Sequence, residues 1–318
     1  MEAEGAGAEH DPPAEQNGAG HVAVMVAEAL EQLNVAPGTM CIDMTVGLGG
    51  HTAAMLERNA PDGRVLGLDR DAEALALARA RLKGYDRRCT LVHANYAEVA
   101  SVAEAHGFRN AQAVLCDLGV STLQLRDAGR GFSCREDGPL DMRMNRQSEG
   151  TAEDIVNMWS EDELSALLRE NGGEPCARAI AREVCRRRGA ARITRTSELA
   201  RIVAAVYARR GWRHSRLHPA TRTFQALRMA VNREAEHLQA GLAGGVAALA
   251  AGGRMAVISF HSGEDRIVKQ FFRAEERERR SGRVLTRKPL TPSEEECARN
   301  AQARSAKMRV FARTEEAA

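Results

Sequence analysis

The 318-residue chain is long enough to bury one large hydrophobic core, or one core plus an inserted domain. Its 44% hydrophobic and 28% charged residues are ordinary for a globular protein, and no apolar run approaches the ~18 residues that indicate a membrane span. Seven scattered cysteines without a C-x-x-C pair argue against a zinc site and favour a reducing compartment.

The chain begins with an acidic segment. Residues 1–20 contain five acids and neither lysine nor arginine, which predicts a disordered tail. The segment lacks the arginines of a transit peptide and the apolar core of a signal peptide, so we favour a bacterial cytoplasm, with a mitochondrial matrix as the alternative. We expect the fold to begin near residue 21 and to end near residue 314, with 315–318 as a second tail.

The segment DMTVGLGGH, from Asp43 to His51, follows an apolar run and precedes a helical pattern. A strand, a glycine turn and a helix start form a cradle for a nucleotide-like ligand. Thr52 stands where a dinucleotide fingerprint has its third glycine. The next strand ends at Asp69, 22 residues after Gly47, a spacing typical of a carboxylate that binds ribose hydroxyls. Without a pyrophosphate to hold, the arrangement suits the adenosine of S-adenosylmethionine; the alternative is a tight turn without a ligand.

Further strand patterns occur at 89–93, 111–121 and 253–262, and helical patterns separate the early strands. This alternation predicts an α/β fold with a Rossmann-like, doubly wound parallel sheet. Two late β-like runs, 282–290 and 306–314, predict an antiparallel hairpin. Because ligands bind beyond the carboxyl ends of such strands, we expect Asp43, Asp69, Tyr96 and Asp117 around one crevice, although each acid alone could cap a turn or helix.

The alternation stops after residue 133, and the segments from 151 to about 210 are helical in pattern. Between Arg178 and Arg233 stand fifteen arginines and two acids, a net charge of +13 in a chain whose total is +2. This imbalance predicts an anionic partner, most naturally nucleic acid, because guanidinium groups pair with phosphate. The alternative, a coding bias toward arginine, explains the missing lysines but not the scarcity of acids.

These patterns predict a domain division. We assign the first part of the sheet domain to 21–133, a helical RNA or substrate domain to 134–211, and the second part of the sheet domain to 212–314.

Residue types separate two kinds of base methylation. A pyrimidine carbon needs a cysteine nucleophile, but the Pro175–Cys176 pair lies in the helical insert, where a helix start is the simpler interpretation. An exocyclic amine needs alignment with the donor methyl and an acceptor for its hydrogens. Asp117, at the end of the fourth strand, is the candidate catalytic acceptor, and Phe132 or Phe260 is the candidate ring that stacks on the base.

Five longer motifs point to one family: DLGVS (117–121), RGFS with DGPLDMRM (130–144), HPATRTFQALRMAVN (218–232), ISFHSGEDRIVKQFF (258–272) and RSAKMR (304–309). Together they resemble the bacterial small-subunit (16S) ribosomal RNA (cytosine-N4)-methyltransferases, which have mitochondrial homologues. The resemblance spans residues 21 to about 311. It implies a Rossmann-like methyltransferase sheet with an inserted helical domain, S-adenosylmethionine as donor, and direct transfer to N4 of a cytosine in the decoding region without a covalent enzyme intermediate.

The resemblance also implies site residues. Cofactor contacts fall on Gly49, Gly50, His51, Asp69, Tyr96, Asp117 and Gln124. We expect RNA contacts from Arg143, His218, Arg222, Arg228, His261 and Arg266, with a structural hydrogen bond as an equal alternative for the two histidines. The implied partner is small-subunit ribosomal RNA within an assembled 30S-like particle. We expect neither a metal nor membrane contact, and homo-oligomerisation is left open.

Six positions depart from the family pattern, and in three of them Ala23 replaces a proline, Tyr96 a phenylalanine and Asn171 a tyrosine. Asn145 replaces the last aspartate of LDMRMD, Gly173 replaces a glutamate of Tyr-Gly-Glu-Glu, and Gly263 replaces the leucine of FHSLEDR. These departures motivate the alternative of a non-catalytic RNA-binding or ribosome-assembly protein that keeps the fold. A nicotinamide-dependent oxidoreductase is disfavoured by the missing third glycine.

Overall fold

The computed structural model describes residues 23–211 and 218–314. The predicted tails, 1–20 and 315–318, lie outside the described residues, and so does a short part of the basic block, 212–217.

Seven strands form one mixed sheet. They are β1 (Cys41–Asp43), β2 (Val65–Asp69), β3 (Cys89–His93), β4 (Ala111–Asp117), β5 (Leu249–Ser259), β6 (Gly282–Val284) and β7 (Lys307–Arg313). Their order across the sheet is β3-β2-β1-β4-β5-β7-β6. Strands β1 to β5 run parallel, whereas β7 is antiparallel to both β5 and β6. The predicted doubly wound α/β sheet is confirmed, and the two late strands pair antiparallel at its edge as predicted.

Helices cover both faces of this sheet. They are α1 (Val26–Gln32), α2 (Gly50–Arg58), α3 (Ala72–Arg81), α4 (Val99–Ala105), α5 (Thr122–Arg126), α6 (Ala152–Met158), α7 (Glu161–Gly172), α8 (Ala177–Arg188), α9 (Thr196–Arg209), α10 (Thr221–Val231), α11 (Glu234–Ala248), α12 (Ser262–Ala274) and α13 (Glu294–Arg299). Successive strand residues point to opposite faces, so Cys41 and Leu115 pack in one apolar layer and Ile42 and Val114 in the other. In the described ranges, no helix is long and apolar enough to cross a membrane.

Helices α6 to α10 pack around a core of their own. Its buried residues include Ile155, Leu168, Ile180, Val203 and Leu227, one from each helix in chain order. Helix α10 lies beyond the predicted boundary at 211, yet it packs with the helices of the insert. We therefore propose that the helical domain extends to the end of α10.

A buried arginine joins the helical core to the sheet. Arg130 is 2% exposed and donates to Asp71 Oδ2 (2.9 Å), just before α3. It also donates to the main-chain oxygens of Arg143 (3.2 Å) and Met144 (2.8 Å), in the loop that leads to α6. Gln124 Nε2 donates to the same Asp71 oxygen (2.7 Å). Because a buried charge is tolerated only with such partners, this cluster fixes the loop against the sheet.

We expect Arg130→Met to destabilise the protein by about 3 kcal/mol, because it leaves the Asp71 carboxylate buried without its counter-charge. Urea unfolding measures the change. Arg109→Met is the control, since the ion pair of Arg109 with Glu104 is exposed and its loss should cost under about 1 kcal/mol. Equal, small effects of the two substitutions would contradict a fixing role for Arg130.

Candidate active site

A cavity of about 300 Å³ opens at the carboxyl ends of β1, β2, β4 and β5. Strand β1 lies between β2 and β4, so the direction of winding reverses here, and open α/β sheets bind ligands at such a point. The cavity brings together most of the predicted cofactor residues and two of the predicted RNA residues. Those that line it are Gly50, His51, Asp69, Tyr96, Asp117, Gln124, Arg228 and His261.

Asp43 lies beneath the cavity and holds the glycine turn. Its carboxylate is fully buried; Oδ2 accepts the hydroxyl hydrogen of Thr52 (2.6 Å), and Oδ1 accepts the N–H of Thr45 (3.1 Å). Burial raises the pKa of Asp43 to about 6. Asp43 therefore supports the turn from below, as the capping alternative predicts.

Asp69 closes the turn from the neighbouring strand. Its Oδ2 accepts the N–H of Gly47 (2.7 Å), and its Oδ1 accepts the N–H of Asp71 (2.8 Å). The hydrogen bond from Gly47 explains the position of Asp69 in the sequence. Asp69 fixes the glycine turn and also borders the cavity. Burial also raises the pKa of Asp69 to about 6.

The two adjacent glycines have different surroundings. Gly49 precedes α2 with φ +80°, and a Cβ there would lie 3.2 Å from Leu82 Cδ1. Gly50 lines the cavity, and its own Cβ would lie 2.8 Å from Ala23 Cβ. The structure thus places Gly50 at the cavity and Gly49 against helix α3.

His51 presents a neutral ring to the cavity. Its Nε2 lies 2.9 Å from the carbonyl oxygen of Val24, so we assign the proton to this nitrogen as the donor. Burial lowers the pKa of His51 to about 4. The bare Nδ1 faces Asp117 Oδ2 at 3.7 Å. His51 therefore acts as an acceptor beside Asp117 near neutral pH.

Asp117 carries the strongest indication of a ligand site. Its side chain is 18% exposed at the end of β4, whereas its Oδ1 is buried and has no hydrogen-bond partner among the described residues. Its N–H donates to Thr45 Oγ1 (2.7 Å), which ties this strand to the same glycine turn. Burial, with nearby Asp43 and Glu264, raises the pKa of Asp117 well above its ordinary value. A buried, unpaired carboxyl oxygen on a residue that lines a cavity is typical of a functional site.

Tyr96 and Gln124 complete the predicted cofactor set. A Cβ on Gly241 of α11 would lie 2.6 Å from Tyr96 Cδ2, so this glycine lets the ring lie against α11. Gln124 is held on both sides, because its Oε1 accepts the N–H of Ser121 (3.1 Å) while its Nε2 donates to Asp71. Tyr96 offers a ring face, and Gln124 offers a fixed, already bonded amide.

A second polar cluster lines the far side of the cavity. Arg228 donates to both oxygens of Glu234 (2.7 and 2.8 Å) and lies 4.0 Å from Glu264. His261 Nδ1 accepts the N–H groups of Gly263 and Glu264, so the proton is assigned to Nε2. That Nε2 is buried and lies 3.2 Å from Glu264 Oε1, so the ring faces this carboxylate at the edge of the cavity.

The sequence prediction missed Glu234 and Glu264. A signal existed for Glu264, because a glutamate three residues after a helix cap, here His261, forms a capping box. The ligand atoms of Glu234, His261 and Glu264 lie within 4.8 Å of one another, but Arg228 already supplies the positive charge between the two glutamates.

The predicted RNA residues fall into three environments. Arg228 is buried in the ion pair just described, which does not fit a surface phosphate contact. Arg143 is bound to both oxygens of Asp141 (2.8 and 2.7 Å), and His218 Nδ1 accepts the N–H of Ala220 (3.2 Å) before α10. Arg222 and Arg266 are exposed.

About half of the arginines of the basic block are ion-paired within the chain. Eight of its arginines form ion pairs with acids; they are Arg182, Arg186, Arg187, Arg192, Arg195, Arg209, Arg228 and Arg233. Glu183 alone binds three of these arginines, while Glu153 and Asp137 come from outside the block. The inference that the block needs an external anion to balance it is therefore weakened.

Residues 18–314 match the model of the MraW methylase family. The chain belongs to this family. Relatives named ribosomal RNA small subunit methyltransferase H occur in Dehalococcoides mccartyi (42% identical over 307 residues, covering 92% of this chain and 86% of that protein), Thermomicrobium roseum (45% over 307 residues, 92% and 93%) and Syntrophobacter fumaroxidans (46% over 304 residues, 91% and 95%). The family assignment from the sequence motifs is confirmed.

Of the departures in this MraW family member, Ala23 and Tyr96 line the cavity, whereas Asn145, Gly173 and Gly263 lie outside its lining. Asn145 Oδ1 accepts the N–H of Gln147 (3.0 Å), and Gly173 ends α7 with φ +55°, a conformation that favours glycine. Gly263 lies in the first turn of α12, where a Cβ would meet the His261 ring at 3.1 Å. Each has a local structural role.

We expect the ring signals of His51 to titrate with a midpoint near pH 4 instead of the ordinary 6.5, because burial disfavours the charged ring. Carbon-edited NMR of histidine-labelled protein measures the midpoint, and His51→Gln identifies the signal. A midpoint near 6.5 would instead place a charged imidazolium beside Asp117 in weakly acidic solution.

Proposed function

We propose that the protein transfers the methyl group of S-adenosylmethionine to the exocyclic N4 of a cytosine in small-subunit ribosomal RNA, by direct in-line transfer. The observation that carries the proposal is the unpaired Oδ1 of Asp117, which lies between the glycine turn and the cluster around His261. The names of the relatives, which specify small-subunit ribosomal RNA, support this choice of acceptor.

The residues around the glycine turn fit this donor, which supplies an electrophilic methyl group on a positively charged sulfur. Asp69 retains lone pairs for ribose hydroxyls, since each of its oxygens accepts one backbone N–H. Tyr96 would contact the adenine, and Gly50 allows close approach of the backbone. Buried carboxyl groups at three strand ends suit a ligand with net positive charge.

The opposite side of the cavity fits a flat base. Phe260 lines the cavity, whereas Phe132 packs in the helical core, so Phe260 is the candidate for stacking. On a small turn of its ring away from Glu264, the Nε2–H of His261 would donate to an acceptor on the cytosine edge, O2 or N3. Arg228, held by Glu234, fixes this side of the cavity instead of binding backbone phosphate.

Asp117 would serve the chemistry by accepting a hydrogen of the N4 amine. As the bond from N4 to the methyl carbon forms and the sulfur–methyl bond breaks, N4 gains positive charge and must release a proton. A carboxylate with a raised pKa accepts that proton readily, and the bare Nδ1 of His51 stands next to it. This route requires no thiol nucleophile, and Cys176 is buried in the helical core.

The cavity favours this enzyme over the non-catalytic alternative, because Asn145, Gly173 and Gly263 leave the residues just described in place. We further propose a 30S-like particle as the substrate and the bacterial cytoplasm as the compartment. The mitochondrial alternative and homo-oligomerisation stay predictions.

The direct test incubates the protein with methyl-labelled S-adenosylmethionine and 30S particles, or naked 16S RNA, that lack the modification. Mass spectrometry of nuclease digests should locate the label as N4-methylcytidine at a single position. RNA binding without transfer, under conditions where a relative is active, would support the non-catalytic alternative. Calorimetric binding of NAD but not of S-adenosylmethionine would overturn the assignment of the donor.

We expect Asp117→Asn to slow single-turnover transfer by roughly 100-fold or more, because the amide cannot accept the amine proton as a carboxylate does. Asp162→Asn is the matched control, since Asp162 is exposed on α7 in the helical domain. Calorimetry of donor binding separates a loss of chemistry from a loss of affinity. A rate for Asp117→Asn within threefold of the wild type would contradict the role of Asp117.

Donor binding should release protons near pH 6. Burial raises the pKa of Asp69 to about 6 and that of Asp117 well above its ordinary value, so both carboxyls bind protons in the empty cavity. A positively charged ligand favours the ionised carboxylates, so its affinity should rise as the pH rises through this range. Calorimetry in buffers of different ionisation enthalpy counts the released protons; an affinity independent of pH from about 5.5 to 7.5 would contradict this coupling.

A further inference from the structure

A second cavity, of about 700 Å³, lies between α12, the segment that follows it, and strands β6 and β7. Besides Arg309, five cationic side chains line it: Lys269, Arg273, Arg277, Arg283 and Arg287. We call this surface the basic groove. The four arginines among these five are exposed, and Lys269 is half-buried.

The five cations of the basic groove have no hydrogen-bond or ion-pair partners among the described residues. Within residues 23–211 and 218–314, none of the five side chains forms a hydrogen bond or an ion pair. The other charged residues that line the groove are engaged elsewhere. Arg309 donates to both oxygens of Asp265 (2.6 and 3.2 Å), and Glu276 Oε1 accepts the N–H of Val284 (2.9 Å).

The basic groove brings several positively charged side chains close together. Lys269, Arg273 and Arg277 recur every four residues, which places them along one side of the α12 segment, where like charges repel. Arg283 and Arg287 line the same groove from the segment that includes β6. The contrast with the basic block is direct, because eight arginines of that block have carboxylate partners. The positive side chains of the basic groove therefore still repel one another, and a bound polyanion would reduce this repulsion.

Helix α12 connects the basic groove with the active site. It begins at His261 in the first cavity, and Ile267 still lines that cavity. At 1.5 Å per residue, Lys269 stands about 12 Å and Arg273 about 18 Å along the helix from His261. A polymer with one unit in the active site can therefore continue into the groove.

We propose that the basic groove binds backbone phosphates of the same RNA whose base enters the active site. This assignment rests on the proposed function. It places an electrostatic contact for the RNA in the C-terminal segment, outside the block from Arg178 to Arg233. Four of the five cations are arginines, whose guanidinium groups pair with phosphate oxygens in two-point contacts. Such contacts fix the position of an RNA without reading its sequence.

The test compares two triple variants of the full-length protein that lose the same charge. Arg273→Gln with Arg277→Gln and Arg283→Gln alters the basic groove. Arg182→Gln with Arg192→Gln and Arg195→Gln alters three arginines of the helical domain that are ion-paired. The dissociation constant for a 16S RNA fragment is measured from about 50 to 200 mM salt, together with donor affinity and thermal unfolding.

We expect the groove variant to bind the RNA at least roughly tenfold more weakly and to have a salt dependence shallower by about 2 to 3 in log–log slope. Donor affinity and unfolding should match the wild type, and the control variant should keep its RNA affinity within about threefold. An unchanged slope in the groove variant, or an equal loss in the control, would overturn the assignment. So would binding to anionic lipid vesicles that depends on the groove while RNA affinity does not.

The outcome separates this assignment from the proposed function. If the wild type methylates the RNA and the groove variant binds it normally, only the groove assignment fails. If the wild type transfers no methyl group but its RNA binding depends on the groove, the groove assignment stands and the catalytic proposal fails.

Discussion

The active site depends on one turn, the segment from Thr45 to His51 that leaves β1. Asp43 holds it from below through Thr45 and Thr52, Asp69 holds it from the side through Gly47, and Thr45 in turn accepts the N–H of Asp117. The ends of three parallel strands are thereby fixed to one another by hydrogen bonds to a single loop. These bonds position the carboxyl groups of Asp69 and Asp117 on a common cavity, with one oxygen of Asp117 left unpaired.

In this protein, the net charge of a sequence segment does not predict the charge that the folded segment presents to a partner. The arginine-rich block has the largest excess of positive charge in the sequence, but folding brings Glu153 and Asp137 to Arg192 and Arg195, and Glu183 to three further arginines. The basic groove has one carboxylate among its described lining residues, Glu276, and this carboxylate forms no ion pair with the five cations. What an anionic partner meets is the charge that remains after internal pairing.

Much of the fold followed from local pattern, because parallel strands buried on both faces have short apolar runs and their ends carry the acids. The glycine turn and Asp69 were predictable together, since strand ends converge at one edge of the sheet. The pairing of Arg228 with Glu234 was not, because it depends on the left-handed conformation of Arg233 between α10 and α11. The end of the helical domain could not be predicted from the sequence either. Helices occur in both domains, and only its packing assigns α10 to the helical domain. The binding roles predicted for single residues stay predictions.

The central claim is that Asp117 stands between the donor and the base. A crystal structure with S-adenosylhomocysteine and cytidine measures this directly. The account predicts the ribose hydroxyls at Asp69, the cytosine ring on Phe260, and the N4 nitrogen within about 2.6–3.2 Å of the Asp117 carboxylate. A cytosine whose N4 lies away from Asp117, or an adenosyl group bound outside the glycine turn, would contradict it.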